Sequence, residues 1–111
     1  MTDRELLERA AKAAGIDVEW LLDSENKEYL HNWEDGCVWN PLTDDGDALR
    51  LAVKLRLRVC TPTTDLDCAI ASNGDVTKYS QDDVEGELMR DLYAATRRAI
   101  VRAAAAIGET L

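Results

Sequence analysis

The sequence predicts an α+β fold, a small antiparallel sheet of three to five strands packed with helices as a helix/sheet/helix sandwich and closed by a long C-terminal helix. Helical spacing of apolar residues at both ends of the chain, short alternating segments between them, and Gly-containing turn signals between those segments carry the prediction. With 111 residues the chain is sized for one α+β domain over 1–111 and a single modest core.

Thr2 or Asp3 caps a first helix that runs to about Ala14, Thr2 and Glu5 having the spacing of a capping box. Leu6, Leu7, Ala10, Ala13 and Ala14 form its apolar face, and Gly15 ends it. The next stretch is open to two readings. Val18, Leu21 and Leu22 suit a short helix, whereas Tyr29, His31 and Trp33 alternate as in a strand. Asp35-Gly36 marks a hairpin turn and Asn40-Pro41 a break in regular structure. Thr43 or Asp44 then caps a second helix, with Asp45 and Asp47 in its first turn, where negative charge opposes the helix dipole. Its buried face is Ala48, Leu51, Ala52 and Leu55.

Residues 56–61 and 66–72 alternate as half-buried strands, and Asn73-Gly74 turns the chain into a third strand at 76–79. The last helix is expected to start at Asp82-Asp83 and run to about Ile107, with Gly108 as its stop. Met89, Tyr93, Thr96, Ile100, Ala103 and Ile107 mark its apolar face. The run Ala103 to Ala106 implies a close approach to the sheet.

Charge is the unusual property of this chain. Thirteen Lys and Arg against 22 Asp and Glu give −9 at neutral pH, which disfavours binding to a nucleic-acid backbone. The imbalance sits almost wholly in residues 17–47, where ten acids face the single base Lys27. The same segment holds Trp20, Trp33, Trp39, Tyr29 and the only histidine, His31. An anionic face with aromatic anchors suits a basic protein partner. Glu25, Glu28, Glu34, Asp35, Asp44 and Asp45, with Trp33 and Trp39 as anchors, are the expected contact residues. The competing reading makes the acids a solvated face and the tryptophans core fillers in a chain without Phe.

Little else points to chemistry. Cys37, Cys60 and Cys68 are odd in number and fit no paired spacing, which suggests a reducing compartment and neither disulfides nor a zinc site with His31. Cys60 and Cys68 are expected as small buried groups in strands. Asp44, Asp45 and Asp47 share part of a calcium-loop pattern, but Leu55 stands where its closing Glu belongs. No phosphate-cradling glycine loop or nucleophile elbow occurs, so no catalytic residue, metal or cofactor is assigned and an enzyme is not expected. No segment has the roughly 20 apolar residues of a membrane span, and acidic Asp3, Glu5 and Glu8 do not suit a signal peptide. Arg90, Arg98 and Arg102 share one face of the last helix with Arg97 beside it. They are a candidate phosphate or nucleotide clamp, or the internal partners of the acidic segment.

Two blocks, Trp39-Asn40-Pro41-Leu42-Thr43-Asp44-Asp45-Gly46-Asp47-Ala48-Leu49-Arg50-Leu51-Ala52-Val53-Lys54-Leu55 and Tyr93-Ala94-Ala95-Thr96-Arg97-Arg98-Ala99-Ile100-Val101-Arg102-Ala103-Ala104, resemble small tailed-phage proteins of the ABA-sandwich type. The resemblance implies a sheet layered between helices and carries no agreed activity. It implies an accessory role in the cytoplasm of an infected bacterium. There the protein is expected to bind the basic surface of a host protein or nucleoprotein complex and inhibit a defence system, as an anti-CRISPR or nucleic-acid mimic. The alternatives are a sponge that sequesters a nucleotide signal at the arginine face, as a homo-oligomer, and a structural phage module.

Overall fold

The computed structural model describes residues 2–61, 69–74, 77–79 and 92–110. Among the described residues it is an α+β fold of three helices and two three-stranded antiparallel sheets. The chain runs through α1 (Asp3–Ala14), β1 (Val18–Leu22), β2 (Glu28–Asn32), β3 (Cys37–Val38), α2 (Asp45–Lys54), β4 (Arg58–Cys60), β5 (Ile70–Ser72), β6 (Thr77–Tyr79) and α3 (Leu92–Glu109). Strand order is β1-β2-β3 in the first sheet and β4-β5-β6 in the second. The single sheet expected from sequence is therefore two sheets, because α2 and the Asn40-Pro41 break separate the first three strands from the last three.

The helix ends follow local chemistry. Thr2 caps α1, its Oγ1 accepting from the Glu5 N–H at 3.2 Å and donating back to the Glu5 carboxylate at 3.4 Å. At the other end Gly15 takes a left-handed φ of 69°, and the Ile16 N–H reaches the Ala11 carbonyl at 3.0 Å. The second helix starts on Asp44, whose carboxylate accepts from the Asp47 N–H at 2.8 Å. It ends in the same reversed geometry as α1. The Arg56 N–H donates to Val53 O at 3.1 Å and the Leu57 N–H to Ala52 O at 2.8 Å. Here the left-handed residue is Arg56, with φ 56°, where a side chain costs about 1–2 kcal/mol and glycine nothing.

The core lies where α1 and α2 pack on α3. Leu6, Leu7, Leu51, Ile100 and Val101 are buried in it, with alanines at the points of closest approach. Asp3 meets Arg98 at 2.9 Å and Arg9 meets Glu109 at 2.6 Å, so α1 and α3 run in roughly the same direction. Ala103, Ala104 and Ala105 are buried, and α3 packs along α1 as well as the second sheet. The alanine run thus lies buried on a helix that packs against both α1 and the second sheet.

Other expectations need correction or fall outside the described residues. Gly108 does not stop the last helix. It lies inside α3 and is buried where the helix crosses the backbone of Arg9. The 18–22 segment, open to a helical reading, is β1, paired residue for residue with β2 from Val18↔Asn32 to Leu22↔Glu28. Cys60 is exposed, not buried, because it alternates onto the solvent side of a short edge strand, and Cys37 is exposed too. The expected helix start at 82–83, together with Leu66, Cys68, Met89 and Arg90, lies outside the described residues. Among the described residues no helix is long and apolar enough to cross a membrane.

Candidate functional site: an aromatic sheet face with an acidic rim

Register divides the first sheet into two faces. Trp20 opposes Leu30 and Val18 opposes Asn32, and this side turns to the core, with Leu30 and Asn32 buried. It is tied to α1 by Arg4, whose guanidinium lies 4.4 Å from the Trp20 ring centre and pairs with Glu28. The Trp20 indole donates to Glu8 at 3.2 Å.

Opposite pairs Glu19↔His31, Leu21↔Tyr29 and His31↔Val38 alternate onto the other face. The strand continues past β2 through the Trp33 N–H, which donates to Asp17 O at 2.9 Å. Tyr29, His31 and Trp33 therefore share one side at steps of two, and their rings form a ladder. Tyr29 and His31 stand 6.4 Å apart at 78°, and His31 and Trp33 stand 4.3 Å apart at 71°, both edge-to-face. The Trp33 indole donates to Glu19 at 3.2 Å, which fixes the ring while leaving 52% of the residue exposed. Val38 beside it is 58% exposed.

The hairpin turn after Trp33 supplies the rim. Gly36 takes φ 76°, and the Asp35 carboxylate accepts from the Cys37 N–H at 2.9 Å. The Glu34 N–H donates to the buried Asn32 side chain at 2.9 Å. These backbone-anchored turn bonds hold Glu34 and Asp35 beside the aromatic ladder. Glu34, Asp35, Asp17 and Glu19 meet no Lys or Arg within ion-pair distance among the described residues.

Of the other expected contact residues only Asp44 borders this patch, sharing a cleft with Asp35 and Val38. Trp39 is 4% exposed and belongs to the core, so it is no surface anchor. Its backbone N–H donates to Leu30 O at 2.9 Å as β3 ends, and the side chain lies in the core. Asp45 is neutralised by Arg97 at 2.6 Å, and Asp44 is occupied as the cap of α2 with Arg50 at 3.9 Å. Glu28 pairs with Arg4. Glu25 sits on the β1–β2 turn with Lys27 at 3.5 Å. That turn is at the far end of the strand pair, five residues from Trp33 along the chain, roughly 16 Å away at ~3.3 Å per residue.

The arginine row is likewise engaged within the fold. Arg97 donates to Leu42 O at 2.8 Å as well as to Asp45, and Arg98 donates to Asp3. Arg102 is half-buried and also has a partner. Among the described residues no group of three His, Cys, Asp or Glu is placed to hold a metal ion. Reading by sequence missed Glu19, Leu21 and Val38. Their signal was the same alternation by two that marks Tyr29, His31 and Trp33, carried across the sheet by register.

One acid in the segment has a structural task. Asp47 is buried, accepts from the Asn40 N–H at 2.9 Å and holds Arg50 at 2.6 Å. This hydrogen bond, with help from the charges of Asp44 and Asp35, raises the Arg50 pKa further above its usual value. Asp47→Ala would strand the Asn40 N–H and loosen the loop into α2. A loss of about 1–3 kcal/mol is expected in urea denaturation.

Neither a protein-family model, nor a curated protein, nor a solved structure matches the chain.

Proposed function

We propose that this chain is a non-catalytic binding protein that docks on the basic surface of a protein partner through the outer face of its first sheet. The observation that carries this reading is the pairing of an exposed Trp33, held by Glu19 and His31, with a rim of Glu34, Asp35 and Asp17. A buried aromatic anchor supplies affinity, and the carboxylates around it speed encounter and select a cationic partner. Arginine suits both parts, stacking on the indole and bonding to the rim. The sequence resemblance would set this docking in a phage-infected bacterial cytoplasm. The partner there would be a basic face of a host defence protein or nucleoprotein complex, blocked by occupation. Nucleotide sequestration at Arg97, Arg98 and Arg102 is less favoured, since Asp45 and Leu42 O already engage Arg97 and Asp3 pairs with Arg98.

The test is capture of a partner from bacterial lysate on the immobilised chain, followed by elution in rising salt. Binding should weaken as the Debye length falls from about 10 Å at 0.1 M to about 3 Å at 1 M salt. The charge reversal Glu34→Lys with Asp35→Lys should abolish it, while Glu25→Lys should have little effect. Binding that ignores salt and survives the double reversal contradicts the proposal.

A further inference from the structure

The second sheet also has an outer face, and its chemistry is the reverse of the first. Arg58 of β4 opposes Ser72 of β5, which opposes Thr77 of β6, so the three side chains form one row across the sheet. Val59 and Ala71 alternate to the other side, where Ala71 is buried and the sheet packs on α3. The row borders a cleft of 630 Å³ that also takes in Arg56, with apolar Leu57 and Ile70 in its wall. Thr77 Oγ1 donates to Ser72 Oγ at 2.9 Å, and the Gly74 N–H donates to the same oxygen at 3.1 Å. With its acceptor sites filled, the Ser72 hydroxyl keeps its own hydrogen to donate.

Two further facts single out the arginines. The chain has nine more acids than bases, and Arg4, Arg9, Arg50, Arg97 and Arg98 each meet a carboxylate. Among the described residues Arg56 and Arg58 meet none, although they are neighbours on one cleft. Arg56 also occupies the left-handed position after α2, where α1 uses Gly15 for the same reversal. Backbone strain at a position that glycine would relieve is found where the side chain has a use.

We propose that this cleft binds a phosphate monoester, with Arg56 and Arg58 on the phosphate and the Ser72 hydroxyl as a third donor. Two guanidinium groups match a dianionic phosphate in charge and in fork geometry. Leu57 and Ile70 would cover part of the organic group, and the cleft volume suits a ligand of nucleotide size. The site is separate from the docking face of the first sheet and does not depend on it.

The experiment is a thermal-shift and NMR titration with adenosine 5′-monophosphate, inorganic phosphate and adenosine. The monophosphate should raise the melting temperature of the native chain by mass action and shift the amide signals of residues 56–58 and 72–74, and adenosine should do neither. Equal effects of inorganic phosphate and the monophosphate would also support the site, with the phosphate alone recognised. Arg56→Gly and Arg58→Ala should each weaken binding at least tenfold, while Lys54→Ala should leave it unchanged. Arg56→Gly should melt no lower than the parent chain without ligand, so loss of binding there is not loss of fold. Absence of any shift with both phosphates, equal binding of adenosine, or full binding by both arginine variants overturns the proposal.

Discussion

Gly108→Ala is expected to destabilise the fold by about 2–3 kcal/mol, seen as a melting temperature lower by roughly 10 °C. The sign opposes helix propensity, which favours alanine over glycine inside an exposed helix by about 1 kcal/mol. The reason is the crossing of α1 and α3. A Cβ at position 108 would overlap the carbonyl oxygen of Arg9 and come within 2.9 Å of its carbonyl carbon. That obstacle is backbone, so relief requires the helices to part, and parting them opens the alanine-lined contact on which the core depends. Gly15→Ala serves as the comparison. Nothing lies within 4 Å of a Cβ there, so only the left-handed φ opposes the side chain, at about 1 kcal/mol. Thermal denaturation that ranks Gly15→Ala as the more harmful variant contradicts this account of the crossing.

The second large effect separates two tryptophans six positions apart. Trp39→Ala should lower stability by about 3–5 kcal/mol, because the side chain is buried with Leu30 and the loop leading to α2. Trp33→Ala should leave the denaturation midpoint nearly unchanged, since the residue is half exposed and its indole bonds only to Glu19 among the described residues. Its cost should fall on partner binding, by about 2 kcal/mol or more, roughly a thirtyfold rise in Kd for an anchor residue. The two variants thus test the division between core and docking surface within one hairpin. A stability loss for Trp33→Ala as large as that for Trp39→Ala would move Trp33 into the core and remove the anchor.

What could be read from the sequence follows from how far apart the deciding residues lie. The ends of α1 were legible because Thr2, Glu5 and Gly15 act on their own backbone neighbours. The N-cap of α2 and the Asn73-Gly74 turn were legible for the same reason. The ladder of Tyr29, His31 and Trp33 was visible as alternation, a property of a few consecutive residues. Whether 18–22 became helix or strand depended on pairing with residues 28–32, which local pattern does not contain. Gly108 looked like a stop signal because the residue that requires a glycine there is Arg9, at the other end of the chain.

Charge pairing was the least legible feature. Arg97 and Asp45 are 52 residues apart, and Arg98 and Asp3 are 95 apart. Counting acids in a window could not reveal that Asp45 is neutralised while Glu34 and Asp35 keep their charge toward solvent. Nor could it reveal that, among the described residues, Arg56 and Arg58 meet no acid while Arg97 and Arg98 on α3 are tied down. The coherent part of the acidic segment is thus smaller than its composition suggested, and it lies around Trp33.

Hydrogen–deuterium exchange of the chain alone and in its captured complex tests the docking claim most directly. The account predicts added protection at 17–22, 29–33 and 34–38, with 58–60 and 70–74 unchanged. Protection confined to the second sheet or to α3, with the 29–38 hairpin exchanging as it does in the free chain, contradicts it.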